Sequence, residues 1–305
     1  MLRLVSPHAM LYTEMIVTGA LIHGDADHFL THTDDAPCGV QLGGSDPDDL
    51  ARCARLVEDY GYEEVNLNVG CPSDRVQYNR IGACLMAEPQ LVAECFRSMQ
   101  AAVDIPVTIK TRIGIDDRDD YDFFRDFIGT VADAGCRTFM IHARKAILDG
   151  LSPKDNRNVP PLKYHYVERI KADFLDREFI LNGGIDDAAA GARLLDTFDG
   201  IMLGRAAYHR PMILSELESL VFNDEPLDVF SVLDHYRTYM EQQLATGEKF
   251  KHMAKHLLGF FAGERGARRF RRYLSENMFR EDAELDVLDH ALALVQPERS
   301  LARAG

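Results

Sequence analysis

The sequence predicts an α/β fold, a TIM (β/α)8-type barrel followed by a small C-terminal helical domain. Three observations carry that reading. Short β-rich runs alternate with amphipathic helical segments as far as residue 205, which implies a parallel sheet. Nearly every run ends in a polar or glycine residue (Gln41, Asn68, Lys110, His142, Asn182, Arg205), and in such a barrel the functional groups gather where strands end. An open doubly wound sheet would concentrate them at one switch point instead. From about residue 213 the strand signals stop.

The β-rich runs are YTEMI (12–16), GVQLGG (39–44), EVNLNVG (64–70), PVTIKTRIG (106–114), TFMIHAR (138–144), EFILNGG (178–184) and DGIMLGR (199–205). In the segment 47–61 between them, Leu50, Cys53, Ala54, Val57 and Tyr60 recur at helical spacing. Pro47 suits a first turn, Asp48 and Asp49 favour the positive helix end, and Gly61 suits the stop. Segments 228–246, 248–262, 264–278 and 282–295 read as helices. The expected division is a barrel over 1–212 and a helical domain over 213–305.

Composition narrows the classes. The chain of 305 residues is 46% hydrophobic and 27% charged, as a globular protein is. No apolar run reaches the roughly 18 residues of a membrane span, and MLRLVSPHAM lacks the apolar core of a signal peptide. A cytoplasmic location without a membrane partner is expected. The six cysteines (Cys38, Cys53, Cys71, Cys84, Cys95, Cys136) are irregularly spaced, with no C-x-x-C pair, so neither a metal nor a disulfide framework is expected. The formal net charge of −15, taken alone, argues against a nucleic-acid partner. Its distribution matters more: residues 249–272 hold eight Lys or Arg against the single acid Glu264, and Arg265, Arg268, Arg269 and Arg272 fall on one helical face. A solvated helix surface is the alternative.

The strand ends carry the chemistry. NGGI (182–185) and LGRAAY (203–208) close the last two runs, where backbone can approach a ligand and a following helix offers free N–H donors. They read as a phosphate site, or else as ordinary turn glycines. A lysine within VTIKTRIG should point inward, and an unpaired buried charge is costly, so Lys110 needs an anion: a ligand phosphate, a reduced flavin or an aspartate. His142 serves the same ligand or is a satisfied core histidine. Cys71 lies between Gly70, which lets the strand turn, and Pro72, which stops the ladder. With an ordinary pKa of about 8.5 a thiol there is mostly protonated and can act as a general acid. A nucleophile or a structural thiol are the alternatives.

LNVGCPSDRVQ, TIKTRIGIDD, IHARKA with GLSPKDNRNVPPL, NGGI and LGRAAY together resemble the tRNA-dihydrouridine synthases. LYTEM, QLGGSDP and RRYLSEN resemble their A-type branch, and the resemblance spans roughly residues 2 to 295. It implies an FMN-bearing barrel with a helical tRNA-binding domain, reducing the uracil C5=C6 bond in the tRNA D-loop at positions 20 and 20a. FMN would give hydride to one carbon, Cys71 a proton to the other, and NADPH would reload the flavin. The resemblance further assigns Asn68 to the flipped uridine and Gln41, Lys110 and His142 to the flavin. It assigns the backbones of Asn182, Gly183, Gly184, Gly204 and Arg205 to the phosphate, and Lys154, Arg157, Arg268 and Arg271 to tRNA. A monomer is expected.

One motif departs. In the family an A-P-M…T-D motif precedes Y-T-E-M, forms the first strand and covers one edge of the flavin. Here MLRLVSPHAM stands in that place and looks like the end of the first helix. Seven strands are visible where a closed barrel needs eight, so weak FMN binding and low activity are expected of this chain. Two other readings stay open: a catalytically weak tRNA-binding protein, and a flavoenzyme acting on a free pyrimidine.

Overall fold

A computed structural model describes residues 1–32, 36–73 and 78–295. Residues 74–77 of the LNVGCPSDRVQ motif and residues 296–305 of the expected helical domain lie outside the described residues. The chain forms two compact units.

The first unit comprises Ala9–Ile185 and Arg193–Met202. It holds a parallel sheet of β1 (Leu11–Tyr12), β2 (Ile16–Val17), β3 (Cys38–Gly43), β4 (Glu64–Val69), β5 (Val107–Arg112), β6 (Thr138–His142), β7 (Glu178–Asn182) and β8 (Gly200–Met202). The strand order is β1-β3-β4-β5-β6-β7-β8, and β2 also pairs with β3. This is the TIM-type α/β arrangement. The expected strand YTEMI is two pieces. Leu11 pairs with Cys38 and Ile16 with Leu42, so this edge spans one residue more than β3 between the same pairs, and the extra residue interrupts the ladder. Among the described residues β1 pairs only with β3 and β8 only with β7, so these strands do not close into a ring.

Side-chain alternation gives the sheet two unlike faces. Val40, Leu42, Val65, Leu67, Val69, Ile109, Phe139, Ile141, Phe179 and Leu181 are fully buried. They share one core with Leu50, Cys53 and Val57 of helix Pro47–Asp59, Phe96 of Pro89–Gln100, Phe124 and Phe127 of Tyr121–Asp133, and Val167 of Tyr164–Asp173. Phe139 and Phe179 stack with centroids 5.7 Å apart. Asp46 caps the first of these helices, accepting from the Asp48 and Asp49 amides at 3.0 Å each, with Pro47 at its start. The alternate positions form the other face: Gln41, Asn66, Asn68, Thr108, Lys110, Arg112, Met140, His142 and Asn182. Registers Gln41↔Asn66↔Thr108, Asn68↔Lys110↔Met140 and Arg112↔His142↔Asn182 set them in rows.

The second unit comprises Met1–His8, Asp186–Ala192 and the chain from Leu203 onward, including helix Ile213–Phe222. Ser6 and His8 bond the buried Glu218 of that helix. Helices Val229–Ala245, Ala267–Asn277 and Leu285–Ala293 pack around Leu233, Met240, Phe261, Phe270, Leu274 and Leu288. The expected helix 248–262 is shorter: Phe250–Ala254 continues as a 3-10 turn, Lys255–Leu257, and then breaks. A Cβ on Gly259 would lie 2.6 Å from the His209 carbonyl oxygen, so the chain there follows a close backbone contact instead of helical geometry.

Candidate active site

The Cys71 turn is made by Asn68. Its Oδ1, at the end of β4, accepts from the Gly70 amide at 3.0 Å and the Cys71 amide at 2.9 Å, an Asx-type turn. The Gly70 carbonyl accepts from Arg112 Nε at 2.8 Å, and the Cys71 carbonyl from the Ala83 amide at 2.9 Å. Every backbone polar group of the Gly70–Cys71 dipeptide is therefore bonded. Gly70 has no left-handed φ, and a Cβ there would stand 3.4 Å from the Thr111 carbonyl carbon, an ordinary contact. The turning expected of that glycine is the work of the asparagine side chain.

Asn68 also donates through Nδ2 to Gln41 Oε1 at 2.6 Å, so Gln41, Asn68 and the Cys71 turn form one bonded group. Lys110 faces Asn68 across the β4–β5 register. Among the described residues no carboxylate pairs with its ammonium and no hydrogen bond reaches it. Burial first, then the neighbouring Arg112, lower its pKa to about 8, while Cys71 acts in the opposite direction. The aspartate considered for Lys110 is absent among the described residues.

Arg112, not anticipated from the sequence, is 4% exposed. Besides Gly70 it bonds the Lys145 carbonyl and, through the same Nη1, the Asn156 carbonyl, each at 3.0 Å. Burial pushes its pKa down to about 10. Asn156, fully buried, organises the loop that carries Lys154 and Arg157. Its Oδ1 accepts from the Ile147 amide at 2.7 Å, and its Nδ2 donates to the carbonyls of Ile147 (2.8 Å) and Leu151 (3.1 Å). Lys154 and Arg157 themselves are exposed on the 3-10 turn Asp155–Arg157 and its start. The signal for Arg112 was its place two residues beyond Lys110, on the same face of β5. Asn156 left no such signal.

At the ends of β6 and β7, His142 is buried against Gly183. Gly183 (φ 109°) and Gly184 (φ 74°) both adopt left-handed backbone. A Cβ on Gly183 would fall 2.5 Å from His142 Cδ2, and one on Gly184 2.5 Å from Leu162 Cδ1. Tyr164 Oη donates to the Gly183 carbonyl at 2.5 Å, and Asn182 Nδ2 donates to the Met202 carbonyl at 2.7 Å. The glycine pair is thus required by close packing, Gly183 against His142 and Gly184 against Leu162, as well as by φ.

Gly204, Arg205, Arg268 and Arg271 belong to the second unit. Gly204 precedes the short helix Arg205–His209, and among the described residues beyond its chain neighbours no atom stands within 4 Å of where its Cβ would lie. Arg205 is exposed. Helix Ala267–Asn277 begins after Gly266 (φ 91°), so Arg265 lies outside the helix instead of sharing the expected face. Arg268, Arg269, Arg271 and Arg272 are exposed on it. Arg271 Nε donates to the Leu258 carbonyl at 3.2 Å, and Arg272 pairs with Glu276 at 2.9 Å. Arg268 makes no hydrogen bond or ion pair among the described residues.

Fold and site define a class: a TIM-type α/β protein that presents a thiol on a braced turn at its strand ends. The chain belongs to the dihydrouridine synthase (Dus) family, which matches residues 1–296. It is 52% identical over 297 residues to a tRNA-dihydrouridine(20/20a) synthase of Pseudomonas aeruginosa, covering 96% of this chain and 90% of that protein. The protein of that name from Pseudomonas putida is also 52% identical, over 298 residues (97% and 89%). The one from Escherichia coli K12 is 50% identical over 301 residues (98% and 87%). The family implied by the motifs is the family found.

Proposed function

We propose that this chain is an enzyme that reduces uridine to 5,6-dihydrouridine in the D-loop of tRNA, at positions 20 and 20a, with FMN as cofactor and NADPH as reductant. The observation that carries the reading is Cys71, held on a fully bonded turn beside a lysine that no carboxylate among the described residues balances, in a chain whose relatives bear the name of that activity.

The residues present fit an anionic, planar cofactor. Lys110 holds a cation that no described carboxylate balances, and Gly184, in left-handed backbone, is exposed just beyond the end of β7. Gln41, Lys110 and His142 would hold the flavin ring, and the backbones of Asn182, Gly183 and Gly184 its phosphate. Gly204 and Arg205 are assigned to the phosphate by family resemblance alone. A flavin held there would supply the hydride for one carbon of the uracil C5=C6 bond. Cys71 Sγ–H gives its proton to the other carbon, and solvent returns a proton to the thiolate. Asn68 would contact the uracil after it leaves its stack, at a cost of a few kcal/mol. A braced turn meets that base with the donor already in place, where a loose loop would have to be ordered first. Lys154 and Arg157 in one unit, and Arg268 and Arg271 in the other, would meet RNA phosphates.

The test is mass-spectrometric mapping of dihydrouridine in tRNA from cells lacking the gene, with and without the gene restored. Restoration by the wild-type gene and not by Cys71→Ala is expected; equal restoration by both sinks the proposal. A tRNA-binding role without catalysis is a second reading, favoured by strands that, among the described residues, do not close into a ring. It predicts purified protein without flavin absorbance but with salt-sensitive tRNA affinity.

A further inference from the structure

One hydrogen-bond chain runs along the polar face of the sheet, from the start of β4 to the Cys71 turn. Tyr12 Oη (2.9 Å) and Thr108 Oγ1 (2.5 Å) both donate to Glu64 Oε1. Asn66 Nδ2 donates to Thr108 Oγ1 at 2.8 Å, with Met140 Sδ a weaker second acceptor at 3.4 Å. Gln41 Nε2 donates to Asn66 Oδ1 at 2.8 Å, and Asn68 Nδ2 to Gln41 Oε1 at 2.6 Å. Asn68 Oδ1 then accepts from the Gly70 and Cys71 amides.

Both ends of this chain are one-way. A carboxylate only accepts, and a backbone N–H only donates. Each amide between them could rotate by half a turn without changing shape, yet reversing any one sets donor against donor. The hydroxyl of Thr108 has one proton, and giving it to Glu64 leaves only a lone pair for Asn66. One direction alone satisfies both ends. Asn66 is 0%, Thr108 2% and Asn68 7% exposed, so water is a poor substitute for a lost partner.

We infer that Glu64 and Thr108 are positioning residues: through Asn66, Gln41 and Asn68 they dictate which amide atom meets the Cys71 turn, and so hold the thiol in one orientation. Its catalytic consequence rests on the function proposed above, whereas its structural half does not. Neither residue touches the reacting atoms.

The experiment compares Thr108→Val, which keeps shape and removes the hydroxyl, with Thr108→Ser, which keeps the hydroxyl and removes a methyl. Amide hydrogen exchange at Gly70 and Cys71 is read in the full-length chain, alongside kcat and KM for tRNA. Thr108→Val is expected to speed exchange at both amides and lower kcat, each about tenfold, with KM unchanged. Thr108→Ser should stay within about twofold of wild type on every readout. If the serine variant does as much harm as the valine variant, or the valine variant leaves exchange unmoved, the inference is overturned. Should Thr108→Val not fold, Glu64→Gln and Glu64→Met replace the pair. Glutamine still offers Oε1 to both hydroxyls and should leave exchange alone, whereas methionine should speed it; equal behaviour of the two overturns the inference. Absence of dihydrouridine from any preparation would count against the proposed function, while the exchange data would still decide this point.

Discussion

On β4, Val65, Leu67 and Val69 join the core shared with the helices, while Glu64, Asn66 and Asn68 bond one another's neighbours across the opposite face. The apolar face is held by area and shape, so its residues are exchangeable for others of like volume. The polar face is held by donor and acceptor direction, so an isosteric change there can disrupt what a larger change elsewhere would not. One strand thereby supplies stability on one side and chemistry on the other.

The largest expected effect tests the apolar side. Phe179→Ala should cost roughly 3–5 kcal/mol in denaturant unfolding, because Phe179 is fully buried and stacked on Phe139. A loss under about 1 kcal/mol would mean that this face is looser than its packing indicates. Next comes Arg112→Met. Losing charge-assisted bonds to Gly70, Lys145 and Asn156 should cost about 2–4 kcal/mol, and exchange should rise in residues 145–158 and at Gly70 together. Exchange rising in only one segment would break the link drawn between them.

Lys110→Met should have the opposite sign. Its folded pKa is lowered to about 8 from an ordinary 10.5, so below pH 8 both states carry the proton and the folded state bears the cost of a buried charge that no described carboxylate balances. Between pH 8 and 10.5 the unfolded chain binds more protons, and wild-type stability gained from this group rises with pH. The methionine variant should be more stable by roughly 1–3 kcal/mol at pH 7 and lack that rise. It should also bind FMN more weakly, while wild-type affinity should fall as pH climbs through about 8. A destabilised variant would reveal an anionic partner for Lys110. The smallest effects belong to the exposed arginines. Arg268→Ala and Arg271→Ala should each reduce the slope of log affinity for tRNA against log salt by roughly 1, with unfolding unchanged. An unaltered slope would remove them from the RNA surface.

Much of this was legible in the sequence wherever the signal is local. Alternation located β3 to β8 to within a few residues, and the acidic first turn marked helix Pro47–Asp59, because period and capping are properties of adjacent residues. YTEMI was misjudged as one strand because the interrupting residue is visible only against β3. The segment 248–262 has helical composition, and only the nearby His209 carbonyl shows why Gly259 ends it. Thr108 lies 42 residues from Asn66, and Asn156 lies 44 from Arg112, so no periodicity could join them. Gly70 drew attention that belonged to Asn68, since a side-chain bond can bend a strand end without leaving a glycine as its mark.

The grip of Arg112 falls on main-chain oxygens, which every amino acid possesses. Side chains on the outer surface of residues 148–158 can therefore be exchanged over evolutionary time without loosening the foundation, provided Asn156 and Arg112 persist. Such a segment can change its outward chemistry while Gly70, gripped by the same guanidinium, stays where it was.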